Sequence, residues 1–89
     1  MKIDPKLTLR KVANENMVML LGNKPGDKSQ MLVLNNASSL LWNELHGKDF
    51  SQEDVVRLLL EHYNVSEHQA RTDARRWTDT LRLHNAILD

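Results

Sequence analysis

The chain has 89 residues, and its 12 lysine and arginine side chains balance 12 aspartate and glutamate side chains, so the formal net charge is zero. This length fits one small domain and argues against a multidomain enzyme, and a neutral chain lacks the basic charge typical of nucleic-acid-binding domains. Cysteine is absent, which excludes disulfides, thiolate metal sites and cysteine nucleophiles and suits a reducing compartment.

The sequence shows no sign of a membrane segment. No apolar run approaches the roughly 20 residues that a membrane-spanning helix needs, and the first residues lack the apolar stretch of a signal peptide. We therefore expect a single domain over residues 1–89 that is cytoplasmic and makes no use of membranes.

The first part of the chain has the pattern of β-strands. Residues 7–10 alternate apolar and polar side chains, and residues 17–21 and 31–34 are short apolar runs. A tight turn is predicted at residues 14–16, and residues 22–29, which contain glycine and proline, form the clearest loop. We predict three antiparallel strands within about residues 6–34.

From residue 35 onward the apolar side chains recur with the period of a helix. Asn35 or Asn36 can cap a first helix that stops at Gly47, and capping-box patterns at residues 51–54 and 66–69 open two more. The predicted apolar faces are Ala37, Leu40, Leu41 and Leu45, then Val55, Val56, Leu59, Leu60 and Tyr63, then Ala70, Ala74, Trp77 and Leu81.

Together these elements predict an α+β fold, a three-stranded antiparallel sheet followed by three helices within about residues 36–84. A short connection between two amphipathic helices beside a small sheet is the arrangement of a winged helix-turn-helix. We therefore predict a winged helix-turn-helix-like domain, an architecture that does not by itself define a function.

The sequence contains no catalytic or metal-binding pattern. None of the four histidines has a second histidine four residues away, and neither a phosphate-binding glycine loop nor a nucleophile motif is present. Glu53 and Asp54 fall in the first turn of a predicted helix, where the helix dipole accounts for their charge. We predict a protein that is not an enzyme and uses no metal and no cofactor.

Arginines line one flank of the third predicted helix. Arg71, Arg75 and Arg82, with Thr78, lie about 100° from its apolar stripe. They could contact nucleic-acid phosphates, hold an acidic peptide, or cover the core with their aliphatic stems. The neutral charge disfavours nucleic acid, so a DNA-binding transcriptional regulator is the alternative function.

The second and third predicted strands are apolar at successive positions and therefore on both faces. One face packs on the helices, while the other face, or an open edge, requires a cover. Three of the four methionines, Met17, Met19 and Met31, lie here, and methionine suits surfaces that repack against a partner. The cover is a docked partner or an added peptide strand, the N-terminal segment, or a second copy of the chain in a homodimer.

Several short motifs together resemble one family. They are Leu32-Val33-Leu34-Asn35, Leu40-Leu41-Trp42, Gly47-x-Asp49-Phe50-Ser51, Val55-Val56, Tyr63-Asn64-Val65, Asp73 and Leu81. In this order and spacing, over roughly residues 15–89, the chain resembles the PqqD family, small proteins of pyrroloquinoline quinone (PQQ) biosynthesis and their relatives. Family members commonly end in Gly-Leu-(Ile/Leu), whereas this chain has Asn85-Ala86-Ile87-Leu88, where Asn85 can replace glycine as a left-handed cap.

The resemblance implies a winged-helix-like peptide chaperone, or recognition element, for ribosomally synthesised and modified peptides. Such a domain binds the leader of a precursor peptide by strand addition and presents it to a modifying enzyme, a radical S-adenosylmethionine (SAM) enzyme in the quinone pathway. Carried onto this sequence, the peptide-binding residues are Gln30, Met31, Leu32, Val33 and Leu34 on the strand and Arg71, Ala74, Arg75 and Thr78 on the helix that walls the cleft. Leu34, Leu41 and Trp42 match core positions, and the binding mode transfers more safely than the pathway.

Overall fold

The computed structural model describes residues 1–20 and 30–88. In chain order the elements are β1 (Lys2–Ile3), β2 (Leu9–Val12), β3 (Glu15–Leu20), β4 (Gln30–Leu34), α1 (Asn36–Leu45), α2 (Gln52–His62), α3 (Glu67–Leu83) and β5 (Ile87–Leu88). The predicted α+β fold is confirmed, because β2, β3 and β4 form an antiparallel sheet in that order and three helices follow. The loop predicted at residues 22–29 lies outside the described residues.

The turn between β2 and β3 lies one residue earlier than predicted. Ala13 and Asn14 occupy it with φ of 50° and 67°, the left-handed values that a two-residue type I′ hairpin requires. Val12 pairs with Glu15 across this turn. The prediction of a turn at residues 14–16 was wrong because asparagine alone does not show which neighbour shares its left-handed conformation.

The two ends of the chain form a second small sheet that the sequence pattern did not predict. β1 pairs with β5 antiparallel, with Ile3 opposite Ile87, and the Asp4 amide donates to the Ala86 carbonyl at 2.9 Å. Ile3 is fully buried. The N-terminal segment is therefore paired with the C-terminal residues and is not the cover of the larger sheet.

The predicted capping boxes differ in how completely they form. At α2, the Asp54 amide donates to the Ser51 hydroxyl at 3.3 Å while the Ser51 amide donates to the Asp54 carboxylate at 2.9 Å. At α3, Ser66 accepts from the Gln69 amide, but the Gln69 side chain donates to Asp73 instead of returning to the cap. Only the first box satisfies two backbone donors reciprocally.

Left-handed residues end two of the helices as the sequence predicts. Gly47 follows α1 with φ of 83°, and Asn85 follows α3 with φ of 57°. The Asn85 amide donates to the Arg82 carbonyl and the Ala86 amide to the Leu81 carbonyl. This pair of bonds is the Schellman motif, so Asn85 does serve as the left-handed cap.

The core lies between the inner face of the sheet and the three helices. It comprises Ile3, Leu7, Val18, Leu20, Leu34, Leu41, Trp42, Leu45, Phe50, Val55, Val56, Leu59, Ala70, Ala74, Trp77, Leu81, Ala86 and Ile87. The predicted apolar face of α3 is wholly buried, whereas Leu60 and Tyr63, predicted on the face of α2, are exposed. The apolar stripe of α2 is therefore narrower than its sequence suggests.

Candidate functional site: the cleft beside the edge strand

The larger sheet carries apolar side chains on both faces, and no described residue covers its outer face. The register pairs Val18 with Leu32 on the core face and Met19 with Met31 on the opposite face. Met19, Met31 and Val33 remain 47%, 57% and 55% exposed. Large apolar side chains grouped on one surface are typical of regions that contact another protein, a membrane or a ligand, so this face is a candidate contact surface.

β4 presents an open edge. In the described part of the chain it pairs only with β3. Residues that flank a two-residue hairpin form a hydrogen-bonded pair, and such pairs alternate along an antiparallel ladder. Starting from Val12 and Glu15, this alternation directs the main-chain groups of Leu32 and Leu34 toward β3. The main-chain N–H and C=O groups of Met31 and Val33 therefore point outward from the edge.

An apolar cleft of about 310 Å³ runs between this edge and the helices. β4 and its continuation form one wall, α3 forms the other, and side chains of α1 and α2 form the floor. The lining residues are Leu32, Val33, Leu34, Asn35, Ala37, Ser38, Leu41, Leu59, Asp73, Arg76, Trp77, Thr80 and Leu81. An extended chain laid along β4 would have one set of alternate side chains directed into this cleft.

The structure brings only part of the sequence-predicted site together. Leu32, Val33 and Leu34 line the cleft, and Gln30 and Met31 belong to the same strand. The four residues predicted on the helical wall are absent from the lining, which α3 supplies from its other flank. Those four residues are Arg71, Ala74, Arg75 and Thr78.

The predicted flank of α3 faces α2 and not the sheet. Ala74 and Thr78 are fully buried, and the Thr78 hydroxyl accepts a hydrogen bond from the side-chain Nε2 of Gln52 in α2. Thr78 was therefore wrongly grouped with the solvent-facing arginines. The helical period defines two flanks beside the apolar stripe, but only the packing of α2 against α3 decides which flank is left for β4.

Arg71 belongs to an exposed ion-pair network between α2 and α3. Its guanidinium donates to Glu53 and, at 3.0 Å, to Glu67. These hydrogen bonds raise the pKa of Arg71 above its ordinary value, and the Arg71 hydrogen bond lowers the pKa of Glu53. The Arg71 guanidinium is therefore paired with carboxylates of α2 and α3, and Arg71 is not among the residues that line the cleft.

Trp77 is the largest side chain that sequence reasoning missed at the site. It lines the cleft, is only 7% exposed, and packs against Phe50 with ring centroids 6.2 Å apart. Its indole nitrogen is buried without a hydrogen-bond acceptor among the described residues. The other lining residues of α3 that were not predicted at the site are Asp73, Arg76, Thr80 and Leu81. Leu81 belongs to the predicted apolar stripe, and the helical period places the other three on the flank opposite Arg71 and Arg75. The period thus groups these residues but does not show which flank faces β4.

The described residues show neither a metal centre nor a membrane span. No three carboxylate or histidine side chains within residues 1–20 and 30–88 are grouped to hold a metal ion. No helix in those ranges combines the length and apolarity needed to cross a membrane.

These features define a small α+β domain whose site is an apolar cleft beside an open strand. The model of the family described as Coenzyme PQQ synthesis protein D (PqqD) matches residues 17–87. The chain therefore belongs to the PqqD family, and the resemblance seen in its sequence is confirmed. Comparisons with curated proteins and with solved structures found no match.

Proposed function

We propose that this protein is a non-enzymatic peptide chaperone of PQQ synthesis or a related pathway. It binds the leader of a ribosomally made precursor peptide by strand addition to β4 and presents that peptide to a modifying enzyme of the radical SAM type. The observation that carries the proposal is the open edge of β4 directly beside an apolar cleft. Membership of the PqqD family supports the pathway.

Strand addition uses main-chain groups of β4 that pair with no other described strand. The outward N–H and C=O groups of Met31 and Val33 give a bound strand its main-chain hydrogen bonds. Its alternate side chains enter the cleft against Leu34, Leu41 and Trp77. The remaining side chains point the other way and extend the apolar outer face of the sheet. Main-chain bonds thus supply affinity, and the cleft supplies selectivity.

The side chains of the cleft are suited to binding a peptide and not to modifying it. Among the described residues, the cleft offers apolar side chains, one carboxylate, one carboxamide, one guanidinium and two hydroxyls, which can bind and orient an extended peptide. The chemistry belongs to the modifying enzyme, and this chain supplies the substrate in a fixed conformation. We do not propose DNA binding, because Arg71, part of the predicted recognition surface, is held by Glu53 and Glu67.

Amide hydrogen exchange tests strand addition directly. The probes are synthetic peptides covering the N-terminal halves of the short reading frames that neighbour the gene. In the free protein the amides of Met31 and Val33 should exchange quickly, and that of Leu32, bonded to β3, slowly. A bound leader should slow exchange at Met31 and Val33. Protection or chemical-shift changes confined to residues outside Gln30–Leu34 and the cleft-lining flank of α3 would reject this binding mode.

A proline at the edge provides a matched pair of variants. Val33→Pro removes one outward N–H and leaves the ladder to β3 intact, a position where edge strands tolerate proline. Val33→Thr keeps the N–H and the branched shape. Losing one main-chain hydrogen bond should weaken peptide binding by about threefold to tenfold, while the threonine variant binds nearly as wild type. Equal binding by both folded variants would contradict an added strand at this edge.

A further inference from the structure

Two charged side chains of α3 lie at the cleft, and they are in different situations. Asp73 is partly buried, and its carboxylate accepts a hydrogen bond from the side-chain Nε2 of Gln69 at 2.8 Å. Arg76 is exposed, and its guanidinium has no hydrogen bond or ion pair to any residue that the structure describes. The Asp73 carboxylate keeps its charge, but one of its oxygens accepts from its own helix, whereas the Arg76 guanidinium has no acceptor among the described residues and is available to a bound molecule.

Arg76 also stands where the cleft meets a more basic surface. Arg76 and Thr80 line the cleft and a neighbouring shallow groove that includes Arg75 and Asp79. Arg71 borders the same groove, but its charge is neutralised by Glu53 and Glu67. Among the described residues, the cations along this path without a carboxylate partner are therefore Arg75 and Arg76, and of these two Arg76 lines the apolar cleft.

We propose that the peptide added to β4 carries an acidic side chain that pairs with Arg76, next to an apolar side chain seated in the cleft. This inference rests on the proposed function and names its substrate class, an acidic-apolar leader segment. An apolar cleft accepts many aliphatic or aromatic side chains with small differences in affinity, whereas a guanidinium distinguishes carboxylate from amide and ammonium. Arg76 is therefore the residue that sets specificity in an otherwise permissive cleft.

The probes that test this pairing are synthetic peptides of one alternating leucine–threonine sequence. In each peptide a single Glu, Gln or Lys replaces one leucine, and the set covers every leucine position in turn. Because the leucines lie on one face of an extended strand, these substitutions place the charge on the cleft side when the leucines face the cleft. At one position the Glu peptide should bind about fivefold more tightly than its Gln counterpart, as a solvent-accessible ion pair allows, and the Lys peptide should bind most weakly.

Two neighbouring arginines supply matched protein variants. Arg76→Glu should weaken the best Glu peptide by about tenfold and strengthen the Lys peptide at the same position, a charge exchange that restores the pair. Arg75→Glu makes the same change in net charge one residue away, outside the cleft. It should weaken the Glu peptides and strengthen the Lys peptides only slightly, and by a similar amount at every position. Both side chains are exposed, so thermal unfolding should show both variants folded.

The outcomes separate this inference from the function on which it rests. Peptides that protect the Met31 and Val33 amides equally well with Glu, Gln or Lys would leave strand addition in place and overturn the acidic preference. Equal effects of the two arginine variants would also overturn it, because the response would then be to net charge. Peptides that protect neither amide at any composition would overturn both proposals.

Discussion

Substitutions at Leu34 and Met31 test which face of β4 is directed into the core. Leu34 is 7% exposed in the core, whereas Met31, three residues earlier, is 57% exposed on the outer face. Leu34→Ala should lower the free energy of unfolding by about 3 kcal/mol, within the range for buried leucine. Because less than half of Met31 is buried, Met31→Ala should cost about 1 kcal/mol. Both changes lower strand propensity, so that contribution cancels in the comparison.

Urea and thermal unfolding followed by tryptophan fluorescence measure this difference, since Trp42 and Trp77 are both buried. For a domain of this size 1 kcal/mol corresponds to about 4–8 °C in Tm, so Leu34→Ala should lower Tm by about 12–24 °C and Met31→Ala by about 4–8 °C. The expected total stability is only about 4–13 kcal/mol, so the first loss is large. Equal losses, or a reversed order, would refute the reasoning, because a one-residue register slip exchanges the two faces of a strand.

Three further predictions concern the local devices that end and begin the helices. Asn85→Gly should change the free energy of unfolding by less than about 0.5 kcal/mol in urea unfolding. Asn85→Val should lower it by about 1–2 kcal/mol, because a branched residue resists the left-handed conformation. Similar losses in both variants would contradict a left-handed cap at Asn85. Asn35→Ala should cost about 1 kcal/mol through the lost bond to the Ser38 amide, with the neighbouring Asn36→Ala nearly neutral, and equal effects would reassign the cap. The hydrogen bond from the Ser51 amide lowers the pKa of Asp54 below its ordinary 3.8. The stability that the Asp54 carboxylate contributes is therefore complete above pH 3.8 and is lost as the pH falls through the lower pKa of the folded state. The stability of Asp54→Asn should depend less steeply on pH during acid unfolding, and an unchanged pH dependence would exclude a stabilising role for this carboxylate.

Short-range patterns predicted much of the fold because their causes are local. The cap at Asn35, the box at Ser51 and the left-handed stop at Asn85 each depend on residues within one turn of helix, and all three formed. The hairpin turn was misplaced by one residue because several neighbouring residues can occupy left-handed positions. The pairing of the chain ends joins residues more than 80 positions apart, and no local pattern carries that information.

The strand and the helix that form the candidate site also differ in how far the sequence predicted them. The strand half was predictable, because an apolar run with no polar face requires a cover wherever it lies. The helical half was not, because Thr78 and Thr80 both flank the same apolar stripe. Thr78 became buried against Gln52, and Thr80 became a wall of the cleft.

The sequence by itself therefore determined that the chain is small, neutral and free of cysteine. It determined a three-stranded sheet that is apolar on both faces, the three helices that follow, and the motifs of the PqqD family. It also determined which residues of α3 form each flank, through the helical period. Only the tertiary structure decided that, among the described residues, β4 pairs with β3 alone, and that Asp73, Arg76 and Trp77, rather than Arg71 and Arg75, line the cleft beside it. The physical reason is that periodicity defines directions around one helix axis, whereas the rotation of that helix is decided by the neighbours that bury its stripe.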